Sequence, residues 1–150
     1  MIAVRELDER VVTAGQLRPE DMRTAAEMGF KVVINNRPDG EAWFGQPTAR
    51  AVNDAAAAVG LKSHYLPISL KTVGAEEVRR FRTLVIDADG PVLTFCTSGF
   101  RCALMWALSE AAFSGASVDD VMRRASVAGH DLSKSRPLIE RILIDFKTSR

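Results

Sequence analysis

Short β-branched runs alternate with longer segments of helical periodicity along this chain, and that alternation limits the folds open to it. Strands are predicted at Val4–Leu7, Val11–Ala14, Lys31–Asn35, Leu61–Leu66 and Val92–Phe95. Helices are predicted at residues 19–28, 48–59, 76–86, 103–113, 117–128 and from 135 onward. Because strands that alternate with helices form parallel sheets, the pattern predicts a single α/β domain over residues 1–150, with a mainly parallel central sheet flanked by helices.

The composition suits such a domain and argues against several classes of function. A chain of 150 residues can bury a full core without disulfides. Its net charge of +1 offers no bulk attraction for nucleic acid or a membrane surface. No apolar run is long enough to span a bilayer, and the first residues show no signal-like apolar segment. The two cysteines therefore predict a reducing, cytoplasmic location and a functional thiol.

The stretch after the last predicted strand carries the chemistry. Cys96 ends the strand, Ser98 and Gly99 form a tight turn, and Arg101 leads into a helix. This arrangement places the thiol at a helix N-terminus inside a ring of backbone N–H groups. The predicted anion-binding loop consists of Thr97, Ser98, Gly99, Phe100 and Arg101. Such a ring stabilises a thiolate and lowers its pKa, so Cys96 is the predicted nucleophile and Arg101 the anion clamp.

Three separated motifs carry a family resemblance. They are Ala-Gly-Gln-Leu at 14–17, Val-Ile-Asn-Asn-Arg-Pro-Asp-Gly-Glu at 33–41, and Cys-Thr-Ser-Gly-Phe-Arg at 96–101. Over residues 3–113 the chain resembles the phosphatase-like domain family of beta-lactamase hydrolase-like proteins. The Cys96 loop by itself resembles those of rhodanese sulfurtransferases and protein tyrosine phosphatases. The resemblance implies a protein tyrosine phosphatase-like fold and a Cys-dependent enzyme with sulfurtransferase or phosphatase chemistry.

The residues around the loop favour sulfane-sulfur transfer through a Cys96 persulfide. Four residues separate Cys96 from Arg101, as in rhodaneses, whereas the related phosphatases have five. Phe95 and Cys102 stand where those phosphatases usually have His and Ser or Thr. Segment 68–72 lacks the carboxylate that they use to protonate a leaving oxygen. A persulfide needs no such acid.

Two other functions stay open. The first is hydrolysis of phosphomonoesters or protein phosphotyrosine through a Cys96 phospho-enzyme. The second is a non-catalytic module that binds anions or persulfides. We expect a small anionic, thiol or persulfide substrate, no cofactor, no nucleic acid and no membrane. Because members of the resembled family can be fused to a metallo-beta-lactamase-like enzyme, a partner enzyme in sulfide metabolism is an additional expectation.

Residues outside the loop add weaker candidates. Arg37 and Asp39 follow a predicted parallel strand, so we expect them at the same mouth, with a structural Arg–Asp turn as the alternative. Cys102 is either a resolving thiol for the oxidised nucleophile or a buried residue that fills space. His64 and His130 have no ligand spacing, so no metal site is predicted, and His130 is expected to end a helix.

Overall fold

A five-stranded sheet forms the centre of the structure, a computed structural model that describes residues 2–148. The strands are β1 (Val4–Glu6), β2 (Val11–Ala14), β3 (Val32–Asn35), β4 (Lys62–Tyr65) and β5 (Val92–Phe95). Their order in the sheet is β1-β2-β5-β3-β4. β1 pairs antiparallel with β2, and the pairs β2–β5, β5–β3 and β3–β4 are parallel. The predicted α/β fold class with a mainly parallel sheet is confirmed.

Helices connect and cover the strands as the sequence pattern predicts. They are α1 (Asp21–Glu27), α2 (Ala49–Ala58), α3 (Ala75–Ile86), α4 (Phe100–Phe113), α5 (Val118–Val127) and α6 (Arg136–Thr148). Most ends differ from the predicted ones by only one to three residues. The difference that matters is at α4, which begins at Phe100 and not at Ala103. Gly99 is its N-cap, so the helix starts directly from the Cys96 loop.

Alternate side chains of the strands divide the core into two layers. Val33 and Leu93 pack with α1 and α2, whereas Val32, Ile34 and Val92 pack with α3 to α6. This is the period-two alternation of a pleated strand, here with both faces buried. Covering both faces explains why the sequence shows continuous β-branched runs in these strands.

Helix α4 is the centre of the second layer. Its residues Cys102–Ser109 are all buried, and it packs against α3, α5 and α6. The indole N–H of Trp106 donates to the Asp8 carboxylate at 2.8 Å, and the Arg124 guanidinium lies 4.8 Å from the centre of that ring system. A helix that is apolar on all sides has to be enclosed. The element that follows the Cys96 loop is therefore held firmly by its surroundings.

Candidate active site

The Cys96 loop lies at the carboxyl edge of the parallel strands. Cys96 directly follows β5, which pairs with β2 on one side and with β3 on the other. A cleft of about 570 Å³ opens at the loop. Its lining consists of Glu41, Ser69, Leu70, Lys71, Cys96, Thr97, Ser98, Phe100 and Arg101. Parallel α/β sheets bind their ligands at this edge, so the loop stands where a reactive group is useful.

Gly99 allows the loop to turn back towards the Cys96 sulfur. Its φ angle is 90°, in the left-handed region that L side chains rarely adopt. The N–H of Gly99 donates to Cys96 Sγ at 3.1 Å. A Cβ atom at this position would lie 3.1 Å from His130 Cε1 and 3.4 Å from the Ala14 carbonyl oxygen. Both the conformation and the available space therefore require glycine here.

The surroundings of Cys96 stabilise its thiolate. The side chain is buried, and burial alone would raise the pKa of a thiol. The Cys102 thiol outweighs this effect by donating to the Cys96 sulfur, and backbone N–H groups of Ser98, Cys102 and Arg101 assist. Together these donors lower the pKa of Cys96 to about 5. The lowered pKa agrees with the sequence prediction, but its main cause is the Cys102 thiol and not the guanidinium of Arg101.

Arg101 is held at the rim of the cleft by an internal carboxylate. Its Nη1 and Nη2 atoms donate to the two Glu41 carboxylate oxygens at 2.7 and 2.9 Å. Nη1 also donates to the Ile68 carbonyl oxygen at 3.1 Å, and Nη2 to Thr97 Oγ1 at 3.0 Å. The guanidinium interacts with the Cys96 sulfur as well. Arg101 is thus already held in place, and a substrate anion would compete with the Glu41 carboxylate for its guanidinium.

Arg37 reaches the same site through Glu41. Its Nε donates to Glu41 Oε1 at 3.1 Å, and its Nη1 donates to Gln16 Oε1 at 2.9 Å. Arg101 and, to a smaller extent, Arg37 lower the pKa of the Glu41 carboxyl by hydrogen bonding. Arg37 therefore does not line the cleft itself, but it is connected to Arg101 through Glu41, and the structure adds Gln16 and Glu41 to the surroundings of the site.

Asp39 has a structural role away from the cleft. Its carboxylate accepts a 2.8 Å hydrogen bond from the backbone N–H of Ala49, which is the first residue of α2. Its own N–H donates to the Tyr65 hydroxyl oxygen at 2.8 Å. The side chain is exposed and does not line the cleft. The expectation that Asp39 shares the mouth with Cys96 is wrong, because its carboxylate is used to hold the start of a helix.

His130 lies beneath the loop, although it follows α5 and stands far from Cys96 in the sequence. It is 6% exposed, and its Nε2 atom is 2.9 Å from Thr13 Oγ1. Its ring contacts the position of Gly99 through Cε1. Burial lowers the pKa of His130, with a smaller contribution from the charge of Arg5. No sequence signal separates this residue from an ordinary helix end, so only the tertiary structure identifies it.

Comparison with known proteins assigns the chain to a family. Residues 3–113 match the model of the beta-lactamase hydrolase-like protein, phosphatase-like domain. The chain belongs to this family. A beta-lactamase hydrolase-like protein from Agrobacterium fabrum is 34% identical to it over 141 residues, which are 94% of this chain and 32% of the relative. The chain therefore spans about a third of the length of the curated relatives that it matches.

Solved structures share the fold of this family member. A candidate phosphatase from Neisseria meningitidis is 33% identical, with a TM-score of 0.82 over 95% of this chain and 99% of that one. PTPMT1 in complex with PI(5)P has a TM-score of 0.73 at 15% identity, covering 97% of this chain and 95% of that one. At that identity the second likeness shows the fold alone. The predicted protein tyrosine phosphatase-like fold is confirmed.

Two further properties of residues 2–148 bear on the site of this family member. No group of three or more His, Cys, Asp or Glu side chains among them is arranged to hold a metal ion. None of the helices in this range combines the length and apolar character needed to cross a bilayer.

Alkylation of Cys96 should follow the titration of a stabilised thiolate. We expect iodoacetamide to modify the folded protein with a half-maximal rate near pH 5, the pKa of Cys96, against about pH 8.5 for an unperturbed thiol. Cys102 should stay unmodified until unfolding, because it is fully buried and burial raises its pKa well above the ordinary value. Peptide mapping across pH 4–9 measures both rates. A Cys96→Ser control should take up no label, and an alkylation rate that rises only above pH 8 would contradict the stabilised thiolate.

Removing the charge of Glu41 should strengthen anion binding at Arg101. In Glu41→Gln the guanidinium keeps its bonds to Ile68 and Thr97, so its position is preserved while its competing carboxylate is gone. We expect about tenfold tighter binding of inorganic sulfate by calorimetry, equivalent to one charge-assisted hydrogen bond of about 1.4 kcal/mol. Glu110→Gln is the matched control, because Glu110 also pairs with two arginines but lies outside the cleft. Equal affinities in the wild type and Glu41→Gln would show that Glu41 does not compete.

Proposed function

We propose that the chain is a Cys-dependent enzyme that transfers sulfane sulfur through a persulfide on Cys96. The Cys96 thiolate attacks the outer sulfur of a small persulfide or of thiosulfate, and the rest of the donor leaves as a thiolate or as sulfite, respectively. Cys96 then carries the sulfur as a persulfide anion, close to the Gly99 N–H and the Arg101 guanidinium. An acceptor thiolate takes the outer sulfur and restores the Cys96 thiolate.

The acid–base character of the cleft lining is the observation that supports this proposal. Among the residues 2–148 that line the cleft, Glu41 is the only one with a carboxylate side chain. Hydrogen bonds from Arg101 and Arg37 lower the pKa of Glu41, so the group is an ion at neutral pH and has no proton to give. Expulsion of an alkoxide from a phosphomonoester needs a proton donor, whereas expulsion of a thiolate or sulfite does not. The described lining is therefore better suited to sulfur chemistry than to phosphate esters.

Phosphatase activity is the second candidate, and the comparisons favour it. The candidate phosphatase from Neisseria meningitidis shares 33% identity and nearly its whole length with this chain. In that reaction Cys96 attacks phosphorus, the alcohol leaves, and water hydrolyses the phosphocysteine. Esters with acidic leaving groups, such as aryl phosphates, need the least help from a general acid. Aryl phosphates are therefore the phosphate substrates on which this cleft is best tested.

One paired experiment separates these functions. The reduced protein is incubated with glutathione persulfide or thiosulfate and, separately, with an aryl phosphate, and is then analysed by intact mass and product assay. Sulfur transfer predicts the gain of one sulfur atom that is lost on adding an acceptor thiol and is absent in Cys96→Ser. Phosphate release that depends on Cys96, without any sulfur adduct, would overturn the proposal in favour of the phosphatase. Oxyanion binding without either product would leave the protein as a binding module.

A further inference from the structure

Gly99 makes two backbone hydrogen bonds that connect the Cys96 sulfur with the start of α4. Its N–H donates to Cys96 Sγ at 3.1 Å, and its carbonyl oxygen accepts from the Ala103 N–H at 3.0 Å. A glycine has access to a wide range of backbone angles, and it has no side chain by which packing could fix them. The direction of the Gly99 N–H must therefore be fixed by the groups that surround this residue.

Two buried side chains that border Gly99 are hydrogen-bonded to each other. A Cβ atom at Gly99 would lie 3.1 Å from His130 Cε1 and 3.4 Å from Thr13 Cβ. His130 Nε2 lies 2.9 Å from Thr13 Oγ1, and the two residues are only 6% and 1% exposed. The Ala14 carbonyl oxygen borders the same position at 3.4 Å. Gly99 is thus packed against a hydrogen-bonded pair that joins β2 to the segment after α5.

We propose that His130 is a positioning residue for the nucleophile, because its ring holds the Gly99 backbone so that the N–H points at the Cys96 sulfur. This role rests on one part of the proposed function, the reaction of Cys96 as a thiolate, and it serves sulfur transfer and phosphate hydrolysis alike. The family match ends at residue 113 and therefore does not include His130.

The end of α5 is fixed in a way that places His130 under the loop. Gly129 has a φ angle of 97°, and the His130 N–H donates to the Ala125 carbonyl oxygen at 2.8 Å, which turns the chain at the end of the helix. Arg5 of β1 lies where a side chain of residue 129 would be, since a Cβ atom there would overlap Arg5 Nη1. The same Nη1 donates to the Ala128 carbonyl oxygen at 3.2 Å. The His130 ring is therefore supported from β1 as well as from β2.

His130 acts on Gly99 by contact and not by charge. Burial lowers the pKa of His130, and the charge of Arg5 lowers it further, against a smaller opposite effect of Cys96. An imidazole whose pKa lies below its ordinary value of 6.5 is mostly neutral at pH 7. A neutral ring gives the thiolate no ionic support, so its contribution has to come through the orientation of the Gly99 N–H.

Two variants of His130 separate contact from charge. His130→Ala removes both the ring beside Gly99 and the bond to Thr13, so the Gly99 N–H can turn away from the sulfur. His130→Gln keeps an amide that can hydrogen-bond to Thr13 Oγ1 and fills part of the same space, but it cannot carry a positive charge. Leu132→Ala is the matched control, because Leu132 is 1% exposed, belongs to the same connection after α5 and packs in the α3–α6 layer. It should lower the melting temperature through a cavity without disturbing Gly99.

The test is the pH dependence of Cys96 alkylation by iodoacetamide in these four proteins, with thermal melting to show that each is folded. The half-maximal rate should lie near pH 5 in the wild type and in Leu132→Ala. In His130→Ala it should rise by about one pH unit, which corresponds to one lost hydrogen bond to a charged acceptor. At pH 5 the rate for His130→Ala should therefore be about fivefold below that of the wild type, and at pH 8 the two should agree within about twofold. His130→Gln should stay within about 0.3 pH units of the wild type.

Each other outcome overturns the role of His130 for a different reason. An unchanged profile in folded His130→Ala would show that Gly99 holds itself, and equal rises in His130→Ala and His130→Gln would point to the charge of the imidazole. An equal rise in Leu132→Ala would mean a general loosening of the fold. If His130→Ala does not fold, Thr13→Val decides, because it removes the bond to His130 Nε2 and keeps the β-branched shape, and it should raise the half-maximal pH by about half a unit. A missing sulfur adduct would defeat sulfur transfer and leave this role intact, whereas a wild type alkylated only above pH 8 would defeat the role together with the stabilised thiolate.

Discussion

Replacing Cys96 with serine is expected to lower turnover by at least about 1000-fold, whichever of the two reactions the protein catalyses. Sulfur transfer and phosphate hydrolysis both pass through a covalent bond to this sulfur. A serine hydroxyl stays protonated at neutral pH, whereas the lowered pKa of Cys96, about 5, makes the thiolate its dominant form. The remaining donors of the loop can still bind an anion, so binding should persist while turnover disappears.

This effect is measured by assaying both substrates with the wild type, Cys96→Ser and Ser109→Ala. Calorimetry with sulfate supplies the binding control. Ser109→Ala is a buried substitution on α4 outside the cleft and should form the sulfur adduct as fast as the wild type. Turnover within tenfold of the wild type in Cys96→Ser would place the nucleophile elsewhere.

The Cys96 thiolate should also make the protein more stable as the pH rises. The folded pKa is about 5, and that of the thiol in the unfolded chain is about 8.5. Between these values the unfolded state binds a proton that the folded state does not. The difference in unfolding free energy between the wild type and Cys96→Ser should therefore grow by up to about 1.4 kcal/mol per pH unit. The pH-dependent part of this difference should level off above the unfolded pKa and disappear as the pH falls through the folded pKa.

Urea unfolding of both proteins at several pH values from 5 to 8, with a reductant present, measures this slope. Comparing the two proteins cancels the titration of shared groups such as His130. The range stops at pH 8 because the raised pKa of Cys102 acts in the opposite direction at higher pH. A constant difference across the range would mean that Cys96 is protonated in the folded protein.

The sequence was sufficient to predict the loop because its parts are contiguous. A β-branched strand, a cysteine, a glycine turn and a helix follow one another within residues 92–113. Each of these elements has a local signature. Within this stretch only the start of α4 differs from the prediction, because its first residues Phe100, Arg101 and Cys102 show no clear helical periodicity.

The partners of the loop were harder to predict because they come from distant parts of the chain. Asp39 and Glu41 are two residues apart in the same polar turn, yet Asp39 binds the start of α2 whereas Glu41 reaches Arg101. His130 shows no pattern that connects it with Gly99. Which carboxylate or imidazole meets the loop is decided by how α2 and α5 pack against the sheet. Local propensity does not contain that information.

The packing of α4 determines how much of the chain is needed to support the Cys96 loop. The family match ends at residue 113, the last residue of α4. Across that limit Phe113 meets the ring of Phe146 edge to face at 5.4 Å, and His130 returns to support the loop. Cutting the chain at the family boundary would uncover the apolar side of α4 and remove the residue beneath Gly99. A segment that carries this site into another protein must therefore include α5 and α6.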